Sequence, residues 1–529
     1  MNKTVLAAGV SGLLLLTAAA VGIFAAAPKD KTGRVFTDRK TGKTVIELTV
    51  DCLPDPAGTD VRTRLNRALT EKFVAAFPSI FKEKYAEKYK RDPKKYGKFD
   101  WDNVEIRLKT LAVPEAKGSP GKRPAVTDPD HAVFCVDLRN SDVCIRNGLL
   151  RPLNEFIERL SPEERKRLLE ERIHPKIMPA IYRQGPDGGK YYWTVPCGAP
   201  PAFEVLMYRR DLFERRRISC PSADWTWEQL LDACRKLTAP GTYGILLGRG
   251  AAESRSWFSF LRGAGGDVMK QNAAGQWRYT FNSESGARAA DFYLRLSAEK
   301  WTDARGQVRR GCAAKNSDPE KLWARGAVGL RIVRLDEKTV SGFDPERCGI
   351  TPLPLGPPDE QGRRRRGTGL FCTMLGMSAA VTDPVIRDAA WEYMYYRNSE
   401  EGLRLRMKIL AENGLDWFAG PDRPKRSGPD NGSRQFAEEF RELRKICLDD
   451  ACPAPFGENI DWAENLMSMA LHLLETKALA DTLSVDPKLR MEQIRRELQL
   501  AEANANKLIG AKPNSKWLKY RNAQTHLNR

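Results

Sequence analysis

Histidine is scarce in this chain, with 4 in 529 residues, and His131, His174, His472 and His526 stand nowhere near metal-ligand spacing. No CxxC, HExxH, GxSxG, GxxxxGK[ST] or GxGxxG occurs, so the common zinc, redox, nucleophile and phosphate-loop chemistries find no foothold. Neither a metal nor another cofactor is expected. After residue 27 there is no apolar run long enough to cross a bilayer. Acidic residues are also in deficit, 68 against 87 Lys and Arg, for a formal net charge of +19.

What is present begins with one lysine ahead of an uncharged run, Val5 to Ala27, that ends in small residues. This reads as a secretory signal over residues 1–27, with a retained N-terminal anchor as the other outcome. The folded part is therefore expected outside the cytoplasm, periplasmic or extracytoplasmic. The basic runs "KEKYAEKYKRDPKKYGK", "RRDLFERRR" and "GRRRRG" read as solvated faces, and export argues against nucleic acid as a partner. Eleven cysteines in an exported chain predict some disulfides, with Cys135–Cys144 and Cys447–Cys452 the close pairs and Cys312–Cys348 a third.

The rest of the chain, about 500 residues, predicts two or three domain-sized units. "KTVIELTV" alternates as a strand, and "TDVRTRLNRALTEKFVAAFPSIFKEKY" has helical spacing with a proline stop after Phe77. "HAVFCVDLRN" reads as a strand entering a polar loop. Ser161 caps a helix with Pro162 at its first position, and "DWTWEQLLDACRKLT" is a helix capped by Asp224 or Thr226. Strands alternating with helices predict an α/β fold with a largely parallel sheet. The Lys-, Pro- and Gly-rich stretch from Glu83 to Asp130, around one strand in "VEIRLKTLAV", reads as a surface elaboration. In "GMSAAVTDPVIRDAAWEYMYYRNSEEG", Met377, Ala379 and Val381 alternate onto a sheet and Asp383-Pro384 starts a helix. Trp391, Met394 and Tyr395 then share one helical face, which is core packing.

The order of these segments resembles the family 1 extracellular solute-binding proteins, the maltose-binding-like receptors of ABC importers. "LTEKFVAAFPSI" is similar to the family's first helix, and "VFCVDLRNSDVCIRNGLLRPLNEFI" to its strand, ligand loop and Gly-Leu-Leu-x-Pro-Leu turn. "YYWTVPCGAPPAFEVLMYRRDLFERRRI" resembles the segment entering the first crossover, with Arg209 and Arg210 where the family has Asn-Lys. "DWTWEQLLDACRKLT", "LWARGAVGLRIV" and "ITPLPLGP" resemble the helix, strand and return crossover of the second lobe.

The resemblance implies a two-lobed periplasmic-binding-protein-like α/β fold, each lobe a central sheet flanked by helices, with several interlobe crossovers. The first lobe is expected at residues 44–210 and 355–415, and the second at 211–354 and 416–515. It further implies a receptor that binds a saccharide and delivers it to ABC permease membrane subunits. An acidic saccharide is left open by the basic balance, and a monomer is expected. Implied ligand residues are Trp462, which matches a stacking aromatic, Trp257, the loop residues Asp137, Arg139, Asn140 and Asp142, and Arg334 near a position that is usually aromatic. Trp193, Tyr208, Trp225 and Trp227 read as core. A secreted carbohydrate-active enzyme with two spaced carboxylates and a surface-anchored binding module are the alternatives.

Overall fold

The computed structural model describes residues 32–51, 53–111, 130–248, 252–315, 319–415, 418 and 433–510; the apolar run 1–27 lies outside them. Strand Thr44–Thr49 is buried along nearly its whole length because it is sandwiched in a sheet. Gly33–Thr37 pairs with it antiparallel and Val104–Lys109 parallel.

The helix Val61–Lys84 is capped by Asp60, whose side chain accepts from Thr63 N at 3.0 Å. It runs straight through Pro78, where the sequence predicts a stop. The reason is the four-residue spacing of Leu65, Leu69, Phe73, Phe77 and Phe81, all buried on one face. Phe81 sits 5.7 Å from Phe77 and stacks on Tyr89 and Trp101 at 5.7 and 5.9 Å. That aromatic packing outweighs the cost of an internal proline, about 3 kcal/mol. The same contacts correct the reading of residues 83–111 as a surface elaboration, while 112–129 lie outside the described residues. Tyr85, Tyr89 and Trp101 belong to the first-lobe core, and Val104–Lys109 is one of its sheet strands.

Helix Pro384–Tyr396 starts as expected, with Asp383 accepting from Val385 N at 2.7 Å and Ile386 N at 3.4 Å. Trp391, Met394 and Tyr395 are buried, and Trp391 stacks on Phe156 at 5.2 Å. The preceding strand is Thr373–Met377, held antiparallel between Val133–Asp137 and Val195–Pro196. It ends at Met377, so Ala379 is exposed rather than on the sheet. Two carboxylates on the buried helix are fully partnered. Asp388 takes Lys88 Nζ at 2.6 Å and Tyr89 OH at 2.7 Å, and Glu392 takes Tyr85 OH at 2.6 Å and Lys84 Nζ at 3.1 Å.

A seven-stranded sheet runs in the order Ala313–Ala314, Tyr243–Leu246, Val328–Leu335, Ala202–Arg209, Gly369–Phe371, Cys452–Pro453, with Cys348–Thr351 also paired to Ala202–Arg209. Its pairings are mixed, not largely parallel: Val328–Leu335 lies parallel to Tyr243–Leu246 but antiparallel to Ala202–Arg209. The long strand arrives from the other lobe, so its direction is set by the crossover rather than by a βαβ repeat. Phe203 and Val205 pack in a middle core with Val136, Leu370 and Met374, whereas Leu206 and Tyr208 pack in the second-lobe core. By strand alternation the two faces of this strand thus serve two different cores.

Helix Trp227–Leu237 is capped by Thr226, which exchanges bonds with Gln229 in a capping box. Ser161 and Glu164 make the same arrangement at helix Pro162–Lys166. Trp193, Tyr208, Trp225 and Trp227 are buried, as read. The "GRRRRG" run is paired with acids: Arg363 with Asp359 at 3.0 Å, Arg364 with Glu228 at 3.5 Å and Arg366 with Asp450 at 2.8 Å.

The cysteine expectation fails. No disulfide joins Cys135 to Cys144, Cys447 to Cys452 or Cys312 to Cys348. Cys135 is fixed in strand Val133–Asp137, while Cys144 is buried in the last turns of the helix that follows it. Cys447 is buried in helix Ser433–Asp450, and Cys452 lies exposed on an edge strand. For the two close pairs, nearness in sequence put the cysteines on successive elements that leave the two sulfurs unjoined.

Candidate functional site

Strand Val133–Asp137 delivers Asp137 to the edge of the first lobe, and the expected polar loop is instead the start of helix Leu138–Arg146. A reciprocal cap explains it. Asp137 Oδ1 accepts from Asn140 N at 2.9 Å, and Asn140 Oδ1 accepts from Asp137 N at 2.8 Å. Asn140 is buried in that role. Asp142 is buried too, accepting from Arg146 Nε at 2.6 Å and from Arg183. These two residues shape the site rather than face a solute.

Arg139 projects outward and crosses the gap. Its Nη1 lies 3.0 Å from Glu464 Oε2 on helix Ile460–Leu479, and its Nη2 lies 4.0 Å from Asp137 Oδ2. Arg255, from helix Ala252–Gly263, shares Glu464 at 3.4 Å. A second bridge joins Arg146 to Glu458 at 2.6 Å. Burial pushes the Glu464 carboxyl above the usual carboxylate range, opposed by the Arg139 and Arg255 guanidiniums. Trp462, two residues before Glu464 and so on a different face of the helix, remains 41% exposed in its first turn. Trp257 does not. It is fully buried, edge-on to Phe281 at 6.0 Å, so its ring belongs to the second-lobe core and offers no face to a solute.

The floor comes from the crossover strand. Glu204 Oε2 accepts from Ser259 Oγ and from Gly369 N, both at 2.9 Å. Burial raises its pKa, against the pull of Arg262. Arg334 stands opposite Glu204 in the strand register, and its guanidinium lies 3.7 Å over the Phe371 ring. Arg334 is exposed, yet burial by its surroundings holds its pKa below the usual arginine value, with Glu204, Asp336 and Asp137 pulling the other way.

The structure therefore gathers Asp137, Arg139 and Arg334 and, beyond Arg139, Glu464; Trp462 is exposed on the helix that carries Glu464. Sequence reading missed Glu204, Arg255, Glu464 and Phe371. Glu204 had a visible signal, a lone carboxylate inside the apolar strand "AFEVLMY". Among the described residues no cluster of three His, Cys, Asp or Glu could hold a metal ion, and no helix is long and apolar enough to cross a membrane.

Residues 126–330 match the family model of the bacterial extracellular solute-binding proteins. The fold is similar to an ABC substrate-binding protein from Listeria monocytogenes solved with cycloalternan, at 16% identity and a TM-score of 0.52 over 88% of this chain and 99% of that one. It is similar to the GacH receptor of Streptomyces glaucescens, solved with acarbose, at 15% identity and a TM-score of 0.53 over 88% and 98%. Maltose-bound T. maritima MalE3 is 15% identical, with a TM-score of 0.51 over 86% and 99%. No curated protein sequence matches the chain. The resemblance to family 1 extracellular solute-binding proteins, and with it the two-lobed fold, stands on both the sequence model and the solved structures.

Proposed function

We propose that the protein is an extracytoplasmic receptor that binds a saccharide between its lobes and delivers it to an ABC import permease. The observation that carries this reading is the Arg139–Glu464 pair that bridges the two sides, shared by Arg255, with the exposed Trp462 on the same helix as the aromatic candidate. A sugar needs a flat aromatic face for its C–H surface and fixed polar groups for its hydroxyls. Arg139, Glu464 and Asp137 supply donors and acceptors already held in place by one another, so little ordering remains at binding. Binding of cycloalternan, acarbose and maltose by proteins of this fold supports the saccharide class.

The ligand set in this reading is Trp462, Asp137, Arg139 and Arg334, with Asn140 and Asp142 as scaffold. The lobes in this reading are 44–210 with 355–415 and 211–354 with 416–515, and one separate core lies wholly within the first. The chain acts as a monomer without enzymatic turnover, exported through residues 1–27.

A thermal-shift screen of mono- and oligosaccharides tests the reading. A solute at 100 times its dissociation constant should stabilise the protein by about 2.7 kcal/mol. Hydrolysis of the oligosaccharides, or no shift with any of them, would reject it.

A further inference from the structure

We propose that the solute carries an anionic group, a carboxylate or a sulfate or phosphate ester, and that Arg334 and Arg62 receive it in a side pocket of the cleft. This deepens the saccharide reading and rests on it.

A cavity of about 100 Å³ lies against the crossover, lined among others by Arg62, Arg334, Arg406, Asp336, Glu337 and Thr373. That is several times the ~30 Å³ share of one liquid water, enough for one such group with accompanying water. Three guanidiniums face two carboxylates there, and the pairing is uneven. Arg406 and Glu337, both buried, form an ion pair with each other. Asp336 is occupied as the cap of helix Glu337–Ser341, its Oδ1 accepting from Thr339 N at 2.9 Å. Arg334 and Arg62 are left, and neither side chain makes a hydrogen bond or ion pair among the described residues.

Arg334 is the sharper case. Phe371 clamps the flat of its guanidinium at 3.7 Å and so fixes its plane, while its N–H edge keeps its donors free. The other carboxylates near it are engaged elsewhere: Glu204 by Ser259 and Gly369, and Asp137 by Asn140 N. Elsewhere in the cleft the cations are matched, Arg139 and Arg255 by Glu464 and Arg146 by Glu458. The two guanidiniums without a hydrogen-bonded acid partner, Arg334 and Arg62, thus both line the pocket next to the floor. Arg at the position that the family resemblance makes aromatic is consistent with an added charge requirement on a sugar ligand.

The test measures affinity by calorimetry for matched pairs: glucose against glucuronate and glucose 6-sulfate, galactose against galacturonate, and lactose against lactobionate. The acidic member should bind at least about tenfold tighter than its neutral partner, with affinity falling as salt rises. In Arg334→Gln, and separately in Arg62→Gln, the acidic-to-neutral ratio should collapse towards one while the melting temperature of the solute-free protein holds. Preference for carboxylate or for sulfate assigns the group. Neutral sugars binding as well as acidic ones in the unmodified protein would overturn this inference and leave the saccharide reading standing. No binding in any pair would overturn both.

Discussion

Arg139 Nη1 meets Glu464 Oε2 at 3.0 Å, although the two residues are 325 positions apart in the chain. Arg139 is held by the capped helix of the first lobe and Glu464 by the helix that carries Trp462. The pair therefore sets the spacing of the two sides of the cleft, and Glu464 is almost wholly buried in doing so.

Removing one partner should expose this dependence. Arg139→Ala leaves the Glu464 charge buried with only Arg255 near it and should cost about 3–5 kcal/mol of stability. Replacing both with apolar residues, as Arg139→Met with Glu464→Leu, should recover most of that loss. Urea unfolding of the single and double variants reads the cycle, and equal losses in both would show that the pair is not coupled.

Trp462 and Trp257 should separate cleanly. Trp462→Ala, at a 41% exposed position, should weaken solute binding by roughly 1 to 3 kcal/mol and barely change stability. Trp257→Ala opens a cavity in the second-lobe core and should cost about 3–5 kcal/mol of folding free energy. Denaturation beside titration with the identified solute distinguishes them, and a large stability loss with intact affinity in Trp462→Ala would retire it as a ligand platform.

Stability should depend on pH through Glu464. Its native pKa is raised, first by burial, so the folded form holds this proton more tightly than the unfolded one. The contribution is fully present below the unfolded value of about 4.3 and is lost as pH rises through the native value. Glu464→Gln cannot titrate. As pH rises from about 4 through the native value, the unmodified protein should lose stability relative to this variant; a constant difference across that rise would contradict the raised pKa.

The cap at Thr226 is a control away from the cleft. Thr226→Ala removes the bond to Gln229 N and should cost about 1 kcal/mol. Solute affinity, read by the same calorimetry, should stay unchanged.

Local chemistry was legible wherever it is self-contained. Asp383-Pro384, Ser161-Pro162 and Thr226 each start a helix because the cap and its partner lie within four residues. The aromatic face Trp391, Met394 and Tyr395 was legible because helical spacing alone brings those side chains together. The order of segments pointed to the two-lobed fold.

What the sequence left undecided depends on partners far along the chain. Pro78 lies inside a helix because Tyr89 and Trp101 pack on Phe81, a gain that no local window contains. Trp257 and Trp462 are chemically the same residue, and only the surrounding helices decide that one is sealed in a core and the other stays exposed. Glu204 and Glu464 read as ordinary carboxylates until folding brings Ser259, Gly369, Arg139 and Arg255 to them. Sequence fixes local torsional preference and apolar spacing, whereas burial and charge pairing are set by contacts between distant segments, and the site is made of those contacts.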